Sequence, residues 1–270
     1  MQRSCFVLMK YRLKKTAFIP LVLFILLIVL LFWACGAMRK EKQEVSPSSS
    51  AASDADSSIS ESSEETDPLP AGSLSDWNLI LLNPDPENKI DEDPDVEMTS
   101  FDGQKVDTRA GAAYEEMRNA AAADGINLYL RSGFRKIALQ KTYYDSHIAE
   151  YMKQGKSEEE AIRLTKQYYT EPGHSEHHSG LAFDIITVEY QRDVYSLTEQ
   201  FAETDAYRWL TEHCAEYGFI LRYPEGKTDI TQINYEPWHY RYVGKEHAQY
   251  IMEHNLTFEE YIDLLREAGR

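Results

Sequence analysis

The sequence contains the stretch Gly173-His174-Ser175-Glu176-His177-His178-Ser179-Gly180-Leu181-Ala182-Phe183-Asp184, which joins a group of histidines to a strand-like pattern. Beyond Gly180 the residues alternate as in a β-strand, whose successive side chains point to opposite faces of a sheet. Ala182 and Asp184 therefore share one predicted face, and the small alanine leaves room for an ion beside the carboxylate. The Ser179-Gly180 pair favours a turn that folds a histidine back over that face.

A second group of polar residues follows in Tyr235-Glu236-Pro237-Trp238-His239-Tyr240. Imidazole and carboxylate groups are the ligands of hydrolytic zinc sites, in which three protein ligands leave one position for water. Two histidines and Asp184 fit that number. Spacing alone leaves open whether His177 or His178 is the ligand from the first stretch, and the second stretch supplies His239 close to Glu236. These residues predict a zinc site on a sheet.

The order of the predicted elements indicates the fold class. Helices are predicted at residues 110–123, 137–153, 157–169 and 205–217, and from 245 and 257; strands are predicted at 77–83, 127–131, 181–188, 219–223 and 235–243. Because Pro237 has no N–H for a strand ladder, the regular part of the last strand is predicted to begin at or after Trp238, with Glu236 in the preceding loop. Capping boxes mark the helix starts at Ser157 and Thr257. Because helices and strands mix without a regular βαβ repeat, the sequence predicts an α+β fold with a small antiparallel sheet and flanking helices.

Composition argues against a nucleic-acid partner and against a disulfide-stabilised body. The 270 residues carry a formal net charge of −17, and because the first 45 residues are basic, the remainder is more acidic still. Such a surface does not bind a phosphate backbone by counterion release, so we expect no nucleic-acid partner. Cys214 is the one cysteine outside the N-terminal region. Its apolar neighbours at helical spacing predict a small buried hydrophobic residue.

The N-terminal region predicts a membrane anchor. Residues 17–38 form an uncharged run, and about 20 apolar residues are enough to span the hydrocarbon core of a bilayer. Basic residues precede this run, which predicts that residues 1–16 stay in the cytoplasm. We expect a single-pass transmembrane helix in the cell membrane, with the folded domain extracytoplasmic. As an alternative, residues 31–36 resemble a lipoprotein cleavage box in which Cys35 would carry the lipid.

A stalk is predicted between the anchor and the folded domain. Residues 39–76 are rich in Ser, Ala, Asp and Glu and contain almost nothing large and apolar before Leu69. A segment of this composition cannot bury enough apolar surface to offset the entropy lost on ordering, so we expect disorder. The folded domain is then predicted to cover residues 77–270.

Three segments together resemble a known family. Ser175-x-His177-x-x-Gly180-x-Ala182-x-Asp184 matches in full the S-x-H-x-x-G-x-A-x-D signature of the zinc D-alanyl-D-alanine carboxypeptidases of the VanY type. Glu236-Pro237-Trp238-His239 resembles the E-x-W-H segment of that family. Arg131-Ser132-Gly133-Phe134-Arg135 with Gln140 resembles its S-G-x-R-x-x-x-x-Q stretch. The order and intervals of the segments agree, and the resemblance extends from about Trp77 to the C-terminus.

The resemblance implies the metal ligands and the general base. His177, Asp184 and His239 would bind Zn²⁺, which selects His177 over His178. Glu236 would be the catalytic general base that takes a proton from the attacking water and later gives it to the leaving amine. The predicted domain would therefore be a zinc carboxypeptidase domain.

The resemblance also implies the substrate and the residues that bind it. The expected reaction removes the terminal D-alanine from the stem peptides of peptidoglycan. Arg135 would act in catalysis by stabilising the oxyanion, or would hold the terminal carboxylate of the substrate, because a guanidinium presents a fixed fork of donors. Ser175 and Gln140 would help to bind the peptide end.

Alternative functions differ in how much of this chemistry they need. An LD-carboxypeptidase, which removes D-alanine from tetrapeptide stems, would use the same metal chemistry. A non-catalytic domain that binds or senses the wall would need neither Glu236 nor an open coordination position. Serine D-alanyl carboxypeptidases use an S-x-x-K motif, and no serine of the predicted domain has a lysine three positions later. We therefore do not expect Ser175 to be a nucleophile.

Overall fold

The computed structural model of the chain describes residues 68–270. The predicted cytoplasmic segment 1–16, the predicted anchor 17–38 and the alternative lipidation site Cys35 lie outside the described residues, as does most of the predicted stalk. Within residues 68–270, no helix combines the length and the apolar character needed to cross a membrane.

Short strands and helices alternate along the described part of the chain. The strands are β1 (Met98–Phe101), β2 (Gln104–Asp107), β3 (Leu128–Ser132), β4 (Ala182–Thr187), β5 (Phe219–Leu221) and β6 (His239–Tyr242). The α-helices are α1 (Thr108–Ala123), α2 (Ile137–Lys153), α3 (Glu158–Thr165), α4 (Val188–Asp193), α5 (Asp205–His213), α6 (Thr228–Thr231), α7 (Lys245–Glu253) and α8 (Phe258–Glu267). Single turns of 3₁₀ helix lie at Glu176–Ser179, Glu199–Glu203 and Cys214–Tyr217.

The strands form two small antiparallel sheets. β1 and β2 make a hairpin, and the other four strands form a sheet in the order β3-β4-β6-β5, in which every neighbouring pair is antiparallel. The strands β4 and β6 therefore occupy the centre of the larger sheet. This confirms the predicted α+β fold with a small antiparallel sheet and flanking helices.

Side-chain caps explain where several helices begin. At α8, Thr257 Oγ1 accepts from Glu260 N and the Glu260 carboxylate accepts from Thr257 N, which is the predicted capping box. At α3, Ser157 Oγ accepts from Glu160 N at 3.2 Å, but the Glu160 carboxylate binds Lys156 instead of the backbone. The predicted box at Ser157 is therefore only half formed.

The β1–β2 hairpin was missed by sequence patterning, although its signal is present. Asp102 and Gly103 both have positive φ, at 52° and 85°, and two-residue hairpin turns of this kind favour Asp-Gly. Asp102 also accepts from Leu130 N at 2.8 Å and from Arg118 Nη2 at 3.0 Å. The turn thereby holds the hairpin against β3 and α1.

The strand predicted at residues 77–83 is wrong. Leu79 and Leu82 are buried there, which explains the apolar pattern. The backbone, however, pairs with a side chain: Arg241 Nη2 donates to the carbonyl oxygens of Asn78 at 3.1 Å and Ile80 at 2.7 Å. This guanidinium satisfies carbonyl groups that a neighbouring strand would otherwise satisfy.

The larger group of buried apolar residues lies behind the four-stranded sheet. Phe183 of β4 packs against Tyr114 of α1 and Phe219 of β5, with ring centroids 5.3 and 5.0 Å apart. Cys214 belongs to this group and is fully buried, as predicted. Burial raises the pKa of its thiol to about 12. One face of β4 is thus committed to the core.

A second buried group joins the C-terminal helices α7 and α8 to the segment that precedes β1. Leu69 and Leu74 pack against this group, and Arg270 Nη1 donates to Leu69 O at 3.3 Å. The packed residues therefore begin before the predicted domain boundary at Trp77, since these leucines find apolar partners that lie far away in the sequence.

Candidate metal centre

The pairing of β4 with β6 places two predicted ligands side by side. Asp184 and His239 are direct cross-strand partners, and partners of this kind have neighbouring side chains on the same face of a sheet. Both side chains are buried, and His239 Nδ1 lies 3.0 Å from Asp184 Oδ1. Because Phe183 and Ile185 belong to the core, the predicted alternation after Gly180 is present.

His177 reaches the same place from the 3₁₀ helix Glu176–Ser179. Gly180 ends this helix with a φ of 75°, a conformation that glycine adopts without steric cost. The Nδ1 of His177 donates to Gly133 O at 2.7 Å, because a carbonyl oxygen can only accept. The other ring nitrogen, Nε2, is left with its lone pair 3.4 Å from Asp184 Oδ2. A Cβ on Gly133 would come within 2.3 Å of a carbonyl oxygen of β2, so this position requires glycine.

The three side chains fit a zinc ion. Ligand atoms of His177, Asp184 and His239 all lie within 4.8 Å of one another, and zinc binds imidazole nitrogen and carboxylate oxygen in sites with three protein ligands. Asp184 Oδ1 is buried without a hydrogen bond, although His239 Nδ1 is 3.0 Å away. Buried polar atoms normally have a partner, and a close but unaligned approach is what two ligands of a shared cation would make.

His178 is engaged elsewhere. Its Nδ1 donates to Arg135 O at 2.7 Å, and its Nε2 accepts from Gly173 N at 3.1 Å. Both ring nitrogens are therefore used in holding the loop together. This geometry agrees with the choice of His177 that the family resemblance implied.

Glu236 lies in the loop before β6 and faces the ligands. Its Oε2 is 3.5 Å from His239 Nδ1. The strand β6 begins only at His239, since Pro237 has no N–H for a strand ladder. A turn in which His239 N donates to Glu236 O at 3.1 Å brings the two side chains to one side. Burial is the main cause that raises the pKa of Glu236 to about 8.

Arg135 lines the same cavity and is held by its neighbours. Its Nη1 donates to Gln140 Oε1 at 2.8 Å and its Nη2 to Ser132 Oγ at 3.2 Å. The Gln140 amide nitrogen donates to Thr170 O at 2.7 Å, so Gln140 fixes the position of Arg135. The predicted contact of Arg135 with substrate stays a prediction. The same holds for Gln140 and Ser175, which are both buried in the cavity wall.

Comparison with known proteins places this geometry in a family. A family model described as VanY: D-alanyl-D-alanine carboxypeptidase matches residues 103–245, a range that contains every predicted site residue. The chain belongs to the VanY family.

Relatives of this VanY-family chain include proteins named for DD- and for LD-carboxypeptidase activity. A D-alanyl-D-alanine carboxypeptidase of Enterococcus faecalis is 37% identical over 193 residues, which are 71% of this chain and 68% of the relative. A mutant of the vancomycin-resistance D,D-pentapeptidase VanY, solved in complex with Zn(II), is 37% identical with a TM-score of 0.60, covering 69% of this chain and 99% of that one. The LdcB LD-carboxypeptidase structure is 33% identical with a TM-score of 0.55, covering 69% and 86%.

In this VanY-family chain the predicted site residues share one cavity of about 620 Å³. Its walls include the three metal-ligand candidates and Glu236, Arg135, Gln140 and Ser175. Aromatic side chains from α2 and from the segment after α3 extend the wall: His147, Tyr151, Tyr168 and Tyr169. A cavity of this size is within the range of small-molecule and peptide-end sites.

Glu176 is a neighbour of the site that sequence reasoning did not single out. Its Oε1 accepts from Arg222 Nε and Arg241 Nη1, both at 2.8 Å. Burial opposes ionisation of this carboxyl group, but the two guanidiniums outweigh burial and hold the pKa of Glu176 well below its usual range. A signal was available, because each of the two predicted strands 219–223 and 235–243 contains an arginine, and an arginine buried in a strand needs an acidic partner.

Replacement of the two adjacent histidines should separate metal binding from loop stability. We expect His177→Ala to lower zinc affinity by more than about 100-fold, beyond what loss of an outer partner costs. The matched change, His178→Ala, leaves all three ligands in place and should lower the thermal stability while zinc still binds. The number of zinc ions bound per protein molecule and the melting temperature, measured for both variants, test this expectation. Zinc retained in His177→Ala and lost in His178→Ala would contradict the assignment.

Proposed function

We propose that this chain is a zinc-dependent D-alanyl-D-alanine carboxypeptidase that removes the terminal D-alanine of peptidoglycan stem peptides. One observation carries the proposal: ligand atoms of His177, Asp184 and His239 lie within 4.8 Å of one another, with Glu236 Oε2 3.5 Å from His239 Nδ1. Membership of the VanY family and the name of the relative from Enterococcus faecalis agree with it.

In this proposal His177, Asp184 and His239 hold the zinc ion. When bound, zinc is a Lewis acid that polarises a carbonyl group and lowers the pKa of water from about 15.7 to about 7. The hydrogen bond from His177 Nδ1 to Gly133 O keeps the ring nitrogen that faces Asp184 free of a proton. The ring planes of His177 and His239 are 84° apart, so the two rings face Asp184 from different directions.

Glu236 is the proposed carrier of the proton. It would take a proton from the attacking water and give it to the nitrogen of the departing D-alanine. The proton lost by the water is thus gained by the leaving amine, and Glu236 is an anion again at the end of the reaction. Burial raises the pKa of Glu236 above its ordinary value, and this makes its carboxylate a stronger base for the proton of water. The loop before β6 holds this carboxylate through the bond from Glu236 N to Tyr223 O at 3.1 Å.

Arg135 is the proposed partner of the negative charge on the substrate. A carboxypeptidase must recognise a free C-terminal carboxylate, and a guanidinium offers donors in a planar fork that matches it. The bonds to Gln140 and Ser132 fix this fork before substrate arrives. The same guanidinium donors could instead stabilise the oxyanion of the reaction. Gln140 and Ser175 line the cavity together with Arg135 and are the other proposed contacts of the peptide end.

An LD-carboxypeptidase is the second candidate, because the LdcB LD-carboxypeptidase shares the fold at 33% identity. The two reactions release the same D-alanine and differ in the configuration of the residue before the bond that is cut. The proposal favours DD specificity because the matching family model and the relative from Enterococcus faecalis both have that description.

We also propose that residues 17–38 anchor the enzyme in the cell membrane with the catalytic domain outside. The support is the uncharged run itself and the basic residues that precede it. The full chain should then sediment with membranes, whereas a chain that begins at Pro68 should stay in the supernatant. A mature N-terminus at a lipid-modified Cys35 would replace the anchor with a lipoprotein.

Mass spectrometry of purified muropeptides tests the reaction. We expect residues 68–270 loaded with zinc to shorten pentapeptide stems by a single alanine and to leave tetrapeptide stems intact. Chelation should abolish the reaction and added zinc should restore it, while penicillin, which acylates a serine nucleophile, should have little effect. Shortening of tetrapeptides alone would favour the LD reaction, and covalent acylation by penicillin would exclude a metallopeptidase.

A carboxylate-to-amide exchange tests the base. Glu236→Gln should keep the zinc affinity of the parent but lower the turnover number by about 10²- to 10⁴-fold, the usual contribution of a positioned acid–base group. Glu199→Gln is the matched control, since Glu199 lines the same cavity but is exposed, and it should turn over substrate like the parent. Near-normal turnover in Glu236→Gln would show that another group is the base.

A further inference from the structure

Glu176 connects a buried ion-pair network to a metal-ligand candidate. Its side chain is fully buried, and its Oε1 accepts from both Arg222 and Arg241. Its second oxygen, Oε2, lies 3.6 Å from His239 Nε2. Both of these atoms are buried, and neither has a hydrogen-bond partner among the described residues. A proton on His239 Nε2 that points at Oε2 is the arrangement that satisfies both atoms.

The position of that proton decides which nitrogen of His239 can bind a metal. A neutral imidazole has one N–H donor and one nitrogen with a free lone pair. If Nε2 carries the proton, the lone pair belongs to Nδ1, and Nδ1 is the atom 3.0 Å from Asp184 Oδ1. The proton and the metal-binding lone pair then point to opposite sides of the ring.

We propose that Glu176 is a positioning residue, which holds His239 in the Nε2-protonated form so that Nδ1 is the zinc ligand. Partners of this kind are carboxylates or carbonyl groups that fix the orientation and the tautomer of a ligand histidine. His177 has the converse arrangement, with its Nδ1 proton on Gly133 O and its Nε2 toward Asp184. The inference rests on the zinc site proposed above.

The arginines keep the Glu176 carboxylate charged and fixed. Arg222 bridges it to Glu259 of α8, donating Nη1 and Nη2 to the two Glu259 oxygens at 2.8 and 2.6 Å. The network of Glu176, Glu259, Arg222 and Arg241 therefore has equal numbers of positive and negative groups. Glu259 binds the same arginine as Glu176 and accepts from Asn83 Nδ2 rather than facing His239, so it provides a matched control.

An amide at position 176 should reverse the tautomer of His239. Because both arginines donate to Oε1, the oxygen of a glutamine would occupy that place and its NH₂ group would face His239 Nε2. Nε2 would then have to accept, which moves the proton to Nδ1, the atom on the side of Asp184. The change removes a metal-binding lone pair while preserving the shape of the side chain.

Zinc affinity, measured by competition with a chromophoric chelator, tests the inference on the parent, Glu176→Gln and Glu259→Gln. We expect Glu176→Gln to bind zinc about 10- to 100-fold more weakly, and Glu259→Gln to bind it as tightly as the parent, though both lose stability. Equal affinity in Glu176→Gln and the parent, or an equal loss in both variants, would overturn the inference. A parent chain that binds no zinc would instead refute the proposed site.

A measurement on the unaltered protein covers the case in which Glu176→Gln does not fold. Nitrogen-15 spectra of the zinc-loaded chain, with selectively labelled histidine, report which ring nitrogen keeps its proton. We expect Nε2–H at His239 and Nδ1–H at His177. Ligation of zinc through His239 Nε2 would overturn the role of Glu176 and leave the zinc site itself intact.

Discussion

The antiparallel pairing of β4 with β6 sets Asp184 directly opposite His239, and the other parts of the site are arranged around this pair. The same register turns Phe183 and Ile185 into the core, so the alternation of β4 serves packing on one face and ligand placement on the other. A slip of one residue would exchange the two faces and bury Asp184 among apolar side chains. The core therefore enforces the register on which the proposed metal centre depends.

The concentration of buried charge behind this pair needs compensation. Removing a charge from water costs on the order of several kcal/mol, and a buried pair offsets that cost only when its geometry and hydrogen bonds are good. Glu176, Glu259, Arg222 and Arg241 meet this condition, with contacts of 2.6 to 2.8 Å. Arg241 also binds the backbone of the segment before β1. The network thereby ties α8 and the N-terminal part of the domain to the strand that carries His239.

Local sequence signals predicted much of the fold and most of the candidate site. The helix at Ile137–Lys153 and the late start of β6 after Pro237 follow from patterns of neighbouring residues. The predictions that were wrong or missing have a common cause, because the residues concerned contact side chains that are distant in the sequence. The segment 77–83 is apolar, but Arg241 rather than a strand takes its carbonyl groups. Glu176 is likewise an ordinary glutamate in the sequence, and its role emerges only when β5 and β6 bring two arginines to it.

The location of a bound zinc ion tests the account most directly. Crystals of residues 68–270 grown with zinc and measured on both sides of the zinc absorption edge would give an anomalous difference map that identifies the metal and its neighbours. The account predicts one strong peak within bonding distance of His177 Nε2, the Asp184 carboxylate and His239 Nδ1, with Glu236 beside it. A zinc peak at His178 or His174, or no peak at the Asp184–His239 pair, would contradict it.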